Sequence, residues 1–190
     1  MNHQLNNTVR IIGGRLRGRK LHFISAPGLR PSGDRVRETL FNWLMNDVID
    51  AYCLDAFAGT GALGFEAISR GASEVIFLED NPNIIKTLNQ TAQEFKLGDA
   101  VKIHQGNSLN YLQISKPKKP FDIIFCDPPF KQGLLLKTLD LLNNFSWVKP
   151  GSLIYTECEH DAMILSELAA RFNILKQKET AQVVYSLLVI

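Results

Sequence analysis

The sequence predicts an α/β fold in which one mostly parallel sheet carries helices on both faces and a short basic hairpin precedes it. Three features predict it. From Cys53 onward short apolar runs alternate with segments of helical period, and a glycine-rich stretch at Gly59, Gly61 and Gly64 joins the first run to its helix. Two apolar runs then close the chain with no helical pattern between them. The 190 residues suit one compact domain, and 45% hydrophobic with 21% charged residues allow a real core.

The elements follow in order. VRII and GRKLHF, with glycines between, suit a short antiparallel hairpin. Asp34 is placed to cap a helix that carries Val36, Leu40, Phe41, Leu44 and Val48 at intervals of three and four, with Arg37, Glu38 and Asn42 on its polar side. The runs CLDAF, VIFLE, VKIHQ, FDIIFC and SLIYTE are each followed by a helical pattern, so βαβ crossovers and parallel pairing are expected. Asn81 and Pro82 open the second of these helices. FNILKQ and VVYSLLVI should form an antiparallel hairpin at one edge, which completes seven strands. Lys116 to Pro120, KPKKP, reads as an exposed loop.

Composition excludes several classes. No apolar run approaches the ~20 residues that span a bilayer, and MNHQLNNTVR lacks the apolar segment of a secretory signal. A cytoplasmic, monomeric protein without membrane partners is expected. Cys53, Cys126 and Cys158 are far apart in apolar surroundings, which predicts buried reduced thiols rather than metal ligands. No metal site is expected, and His3, His22, His104 and His160 read as surface or packed residues. Charge is unevenly spread. Through Arg37 the chain has eight cations against Asp34, a net of +7, so the remainder sums to −5 within an overall +2. Arg10, Arg15, Arg17, Arg19, Lys20, Arg30 and Arg35, interleaved with glycines, suit an arm that follows the phosphates of a nucleic acid.

In an open parallel sheet ligands bind beyond the carboxyl ends of the strands. The first strand leads into Asp55, Phe57, Gly59, Thr60 and Gly61, where missing side chains let backbone N–H groups approach a ligand. The second ends in Glu79 and Asp80. Glu79 lies 20 residues after Gly59, where a carboxylate can accept from both hydroxyls of a ribose. Adenosine occurs in both nicotinamide dinucleotides and S-adenosylmethionine. Asp55 favours the second, because a carboxylate repels a pyrophosphate but attracts an ammonium and a sulfonium. The third strand leads to Asn107 and Ser108, where Asn107 either contacts an adenine edge or caps a helix. After the fourth come Asp127, Pro128, Pro129 and Phe130. The prolines stop the ladder and fix the turn, so a carboxylate, a carbonyl and an aromatic ring share one small space. That set suits a planar base with an exocyclic amine: Phe130 stacks, while Asp127 and the Pro128 carbonyl accept from the amine.

The strings RIIGGRLRGRKL, RPSGDRVRETLFNWL, DAFAGTGALGFEAISRGA, VIFLED, FCDPPF and LIYTECE together resemble bacterial small-subunit ribosomal RNA guanine-N2 methyltransferases of the RsmD type. The likeness runs through nearly the whole chain. It implies a Rossmann-like class I methyltransferase domain at residues 34–190 behind a basic RNA-binding extension at 1–33. It also implies S-adenosylmethionine as cofactor, a specific guanine of 16S ribosomal RNA in a small-subunit particle as substrate, and RPSGDRVRE as cover for the cofactor. Within it Asp55 to Gly61 hold the methionine part, Glu79 the ribose, Asn107 and Ser108 the adenine edge, and Asp127 to Phe130 the base. Two other readings fit part of the sequence. A nicotinamide-dependent oxidoreductase accounts for the glycines and Glu79 but leaves DPPF and the arm without a role. A non-catalytic RNA-binding assembly factor does not need intact Asp55, Glu79 and DPPF.

Overall fold

A computed structural model describes residues 7–23 and 33–190. The chain opens with an antiparallel hairpin of β1 (Asn7–Arg10) and β2 (Lys20–Phe23), joined through a single 3₁₀ turn at Gly14–Leu16. Helix α1 (Asp34–Trp43) leads to the sheet. Then follow β3 (Tyr52–Asp55), α2 (Ala62–Ser69), β4 (Glu74–Glu79), α3 (Pro82–Glu94), β5 (Val101–Gln105) and α4 (Ser108–Ile114). The rest is β6 (Ile123–Cys126), α5 (Leu134–Asn144), β7 (Leu153–Cys158), α6 (Ala162–Arg171), β8 (Asn173–Glu179) and β9 (Val184–Val189).

The seven-stranded sheet has the order β5-β4-β3-β6-β7-β9-β8, parallel from β5 to β7 and antiparallel around β9. The chain builds outward from β3 to β5 and then returns to add β6 on the other side of β3. This reversal opens a crevice at the carboxyl ends of β3 and β6. The closing hairpin lies at an edge, as expected, with its last strand inside. β9 is apolar and buried through most of its length, whereas β8 is largely exposed and forms the rim.

Alternation along each strand divides the core in two. Cys53, Val75, Phe77, Ile123 and Phe125 face the layer of α1, α2, α3 and the hairpin. Leu54, Ile76, Leu78, Ile124 and Cys126 face α4, α5 and α6. All three cysteines are buried free thiols. Val9, Ile11, Leu16 and Leu21 of the amino-terminal hairpin belong to the first core, so the extension packs as part of the domain's interior.

Two expectations for the start of α1 are corrected. Gly33 occupies the cap position and Asp34 is the first helical residue, where it pairs with Arg37 at 2.6 Å. Arg37 is not on a solvated face. It is fully buried, donating to the Arg10 carbonyl at 2.9 Å and approaching Glu66 at 3.4 Å, so it is withdrawn from the charges that an RNA could meet. Val36, Leu40, Phe41, Leu44 and Val48 are all buried as read, but the helix is shorter than expected: α1 ends at Trp43, Leu44 is its cap and Val48 lies beyond it.

Candidate active site

The carboxyl ends of the parallel strands surround a cavity of about 920 Å³. Its shape begins with the β3 loop. Gly59 and Gly61 have positive φ, at 50° and 73°, which reverses the chain into α2. Gly64 serves packing: a Cβ there would sit 2.3 Å from the ring of Phe77, so α2 lies directly on β4. Asp55 at the tip of β3 is buried, and its Oδ2 accepts the Gly64 N–H at 3.0 Å. Burial pushes its carboxyl up to about 8, opposed by the Gly64 hydrogen bond and reinforced by Glu79. Among the described residues no Lys or Arg forms an ion pair with it.

Glu79 at the tip of β4 holds three backbone groups. Its Oε2 accepts the Gly59 N–H at 2.9 Å, while Oε1 accepts from Asp80 and Asn81 at 3.1 and 3.0 Å. Partial burial nevertheless raises its pKa, because the hydrogen bonds only partly offset desolvation. Asn107 caps α4, its Oδ1 accepting the Asn110 N–H at 3.1 Å. Asp127 lies one residue beyond β6, followed by Pro128, which is buried, and by Pro129 and Phe130, which are exposed. Phe130 is 38% exposed at the cavity wall, so it is not a ring packed inside a turn.

The cavity brings together Asp55, Phe57, Gly59, Thr60, Glu79, Asp80, Asn107, Ser108 and the whole of Asp127 to Phe130. Gly61 does not line it. A Cβ at Gly61 would meet Leu88 and Phe65 at 2.7 Å, so this glycine shapes and packs the loop from behind. Gly33 and Val36, from the segment read as a cover, line the cavity; sequence reasoning missed Leu78 and Ile84, which supply apolar wall, and Glu157, the penultimate residue of β7. A run ending in an acid was the available signal for Glu157. Five carboxylates, those of Asp55, Glu79, Asp80, Asp127 and Glu157, therefore line one cavity that has no Lys or Arg on its wall among the described residues.

Comparison with known proteins agrees with this arrangement. The family described as conserved hypothetical protein 95 matches residues 9–189. Ribosomal RNA small subunit methyltransferase D of Haemophilus influenzae is 43% identical over 180 residues, 94% of this chain and 92% of that protein. The chain belongs to the ribosomal RNA small subunit methyltransferase D family. The Escherichia coli K12 member is 42% identical over 186 residues, 98% of this chain and 92% of its own length. The solved structure of Escherichia coli yhhF superposes with a TM-score of 0.83 at 40% identity, covering 96% of this chain and 98% of that one.

Of the seven basic residues assigned to RNA, six lie on the hairpin or α1 of this family member. Arg10, Arg15, Arg17, Lys20 and Arg35 are exposed, and Arg30 lies outside the described residues. Arg19 is committed to the protein: it pairs with Glu94 at 3.1 Å and stacks 4.3 Å from the centre of the Phe95 ring. The turn that carries Arg15 and Arg17 sits beside the last residue of α2, where Leu16 N–H donates to Ser69 Oγ at 2.9 Å. The first residue of α2, Ala62, lines the cavity. Turn and cavity are thus separated by the helix, roughly 10 Å at 1.5 Å per residue. Among the described residues no helix is long and apolar enough to cross a membrane.

Proposed function

We propose that this protein transfers a methyl group from S-adenosylmethionine to the exocyclic N2 amine of a guanine in small-subunit ribosomal RNA. The observation that carries the reading is the acidic cavity at the sheet's switch point, with Asp55 and Glu79 on one side and the Asp127–Phe130 turn on the other. A wall without Lys or Arg among the described residues is unfavourable to a dinucleotide's pyrophosphate and favourable to a cationic ligand. The near full-length relatives named as small-subunit ribosomal RNA methyltransferases support the same substrate class.

The residues fit the cofactor. Asp55 is a buried acid with no ion-paired Lys or Arg among the described residues, which suits an ammonium group. Glu79 has about one of its four acceptor directions left, so it would take one ribose hydroxyl rather than both. Asn107 uses its oxygen as the helix cap, which leaves its Nδ2 to donate to a purine ring nitrogen. Once bound, the cofactor supplies an electrophilic methyl carbon on a positively charged sulfur.

The chain's own residues act on the base. A guanine 2-amino lone pair is delocalised into the ring, so the amine attacks poorly while planar. Asp127 and the Pro128 carbonyl accept from its two N–H bonds, favour the pyramidal form and stabilise the charge that develops on nitrogen. Asp127 therefore orients and stabilises, and the proton leaves after transfer from a nitrogen made acidic. Phe130 stacks on the base, and alignment can supply roughly 7–11 kcal/mol of barrier lowering. Such a base must come from a loop or be flipped out of a helix. Its phosphates stay outside the acidic cavity, where Arg10, Arg15, Arg17, Lys20 and Arg35 are available.

The test is transfer of tritium from labelled S-adenosylmethionine to small-subunit RNA isolated from cells lacking the protein, with the labelled nucleotide identified. Asp127→Ala should abolish transfer while S-adenosylhomocysteine still binds. Full turnover by that variant, or label on a base other than guanine, would refute the reading.

A further inference from the structure

Glu157 has no part in the assignments above, yet it shares their cavity. The register of β6 and β7 pairs Phe125 with Tyr155. The paired register ends at Cys126 opposite Thr156, so Asp127, just past β6, and Glu157, in β7, are the next residues along two adjacent parallel strands whose backbones run about 5 Å apart. Both line the cavity. The cavity divides by strand: Asp55 and Glu79 belong to β3 and β4, whereas Asp127 follows β6 and Glu157 lies in β7 on the other side of the switch point.

Glu157 is held in place from behind. It is 7% exposed, and the buried Tyr155 hydroxyl donates to its Oε2 at 2.8 Å. Tyr155 is itself fixed in the core, with its ring centre 6.5 Å from that of Tyr185, the residue opposite Glu157 on β9. A carboxylate is costly to bury, and a hydroxyl fixed behind it decides which way it faces.

We propose that Glu157 reads the identity of the target base by accepting the N1–H of guanine, alongside the 2-amino group held by Asp127. The inference rests on the guanine reading given above. Guanine alone among the four bases presents a ring N–H and an exocyclic amine side by side with the amine at position 2. Adenine and cytosine place a lone pair at the corresponding ring nitrogen, which a carboxylate repels, and uracil has the N–H without an amine. Two carboxylates on neighbouring strand ends match that pair of donors. The same hydrogen bond feeds electron density into the ring as charge develops on the amine.

The experiment uses small-subunit RNA, assembled in its particle, that carries either guanine or 2-aminopurine at the target position. 2-Aminopurine keeps the 2-amino group and has a lone pair in place of N1–H. The wild-type protein should prefer guanine by roughly 10²-fold in kcat/KM, the scale of one preorganised hydrogen bond. In Glu157→Gln the Tyr155 hydroxyl takes the amide oxygen, which turns the amide N–H towards the cavity. Guanine turnover should then fall by roughly 10²-fold and the preference should collapse to below ~10-fold, with S-adenosylhomocysteine affinity and Tm unchanged. Tyr155→Phe, which keeps the acid and loosens it, should give a smaller loss of preference. Unaltered preference in Glu157→Gln, or equal losses on both bases, overturns the proposal while leaving the guanine reading intact. Failure of the wild-type protein to methylate the guanine substrate overturns both.

Discussion

Arg37 and Glu66 face each other inside the molecule, 3.4 Å apart with both side chains fully excluded from solvent. Glu66 also accepts from the backbone N–H groups of Ile12 and Gly13, each at 2.8 Å, and from Arg70 at 2.7 Å. One acid on α2 thus anchors the hairpin, α1 and its own helix. Breaking such a buried pair costs about 3–5 kcal/mol. Glu66→Ala should lower the denaturation free energy by about that amount in guanidinium titrations, and speed tryptic cleavage between residues 10 and 20. An unchanged midpoint would show that the anchor is dispensable.

Asp55 gives a dependence on pH with a definite sign. Its folded-state pKa of about 8 lies above the ordinary carboxylate value, so the folded protein keeps a proton that the unfolded chain gives up. The associated stability is complete below about pH 4 and is lost as pH rises through 8. Asp55→Asn removes that loss. The variant should gain on the wild type between pH 5 and pH 8.5 by at least ~2–4 °C in Tm, the effect of ~1 kcal/mol in a chain of this size. It should also fail to bind S-adenosylhomocysteine in calorimetry. A constant Tm difference across that range would contradict the burial argument.

Gly64→Ala tests the packing of the loop. The added methyl would meet the Phe77 ring at 2.3 Å and Val75 at 3.0 Å, both within the core. Overpacking of this kind costs roughly 1–3 kcal/mol. Thermal unfolding should show the loss, and cofactor affinity should weaken as α2 is pushed from β4. A variant as stable as the wild type would mean that the helix moves freely where it meets the strand.

The salt dependence of RNA binding separates the basic residues. Arg15→Ala with Arg17→Ala should flatten the slope of log K against log salt by roughly 1.4, about 0.7 for each single-strand phosphate left without its arginine. S-adenosylhomocysteine affinity should stay the same. Arg19→Ala should instead lower stability, because that side chain ties β2 to Glu94 and Phe95 at the end of α3. A slope that does not change in the double variant would remove the turn from the RNA-binding surface.

Much of the cavity was legible in the sequence because its residues sit at strand ends, where a change of pattern marks them. Asp55, Glu79 and Asp127 each close an apolar run, and each lines the cavity. Glu157 closes the run SLIYTE in the same way, but no glycine or proline turn follows it to mark a site. Arg37 was misread for another reason. A charge in a basic stretch reads as solvated, and only the fold brings Glu66, 29 residues later, against it. Gly61 fitted a binding motif, but its tightest neighbours are Leu88 and Phe65, which spacing alone does not reveal. Burial of β9 inside β8 follows from its stronger apolar pattern, although periodicity by itself fixes no strand order.

Helix α2 acts as a ruler. Its first residue borders the cavity and its last touches the turn bearing Arg15 and Arg17, so an oligonucleotide short enough to fill the crevice alone would leave those two arginines idle. Grip and chemistry are then rewarded together only by a ligand with a rigid shape of its own. On the proposed reading, the length of this single helix makes the three-dimensional form of the RNA part of what is recognised.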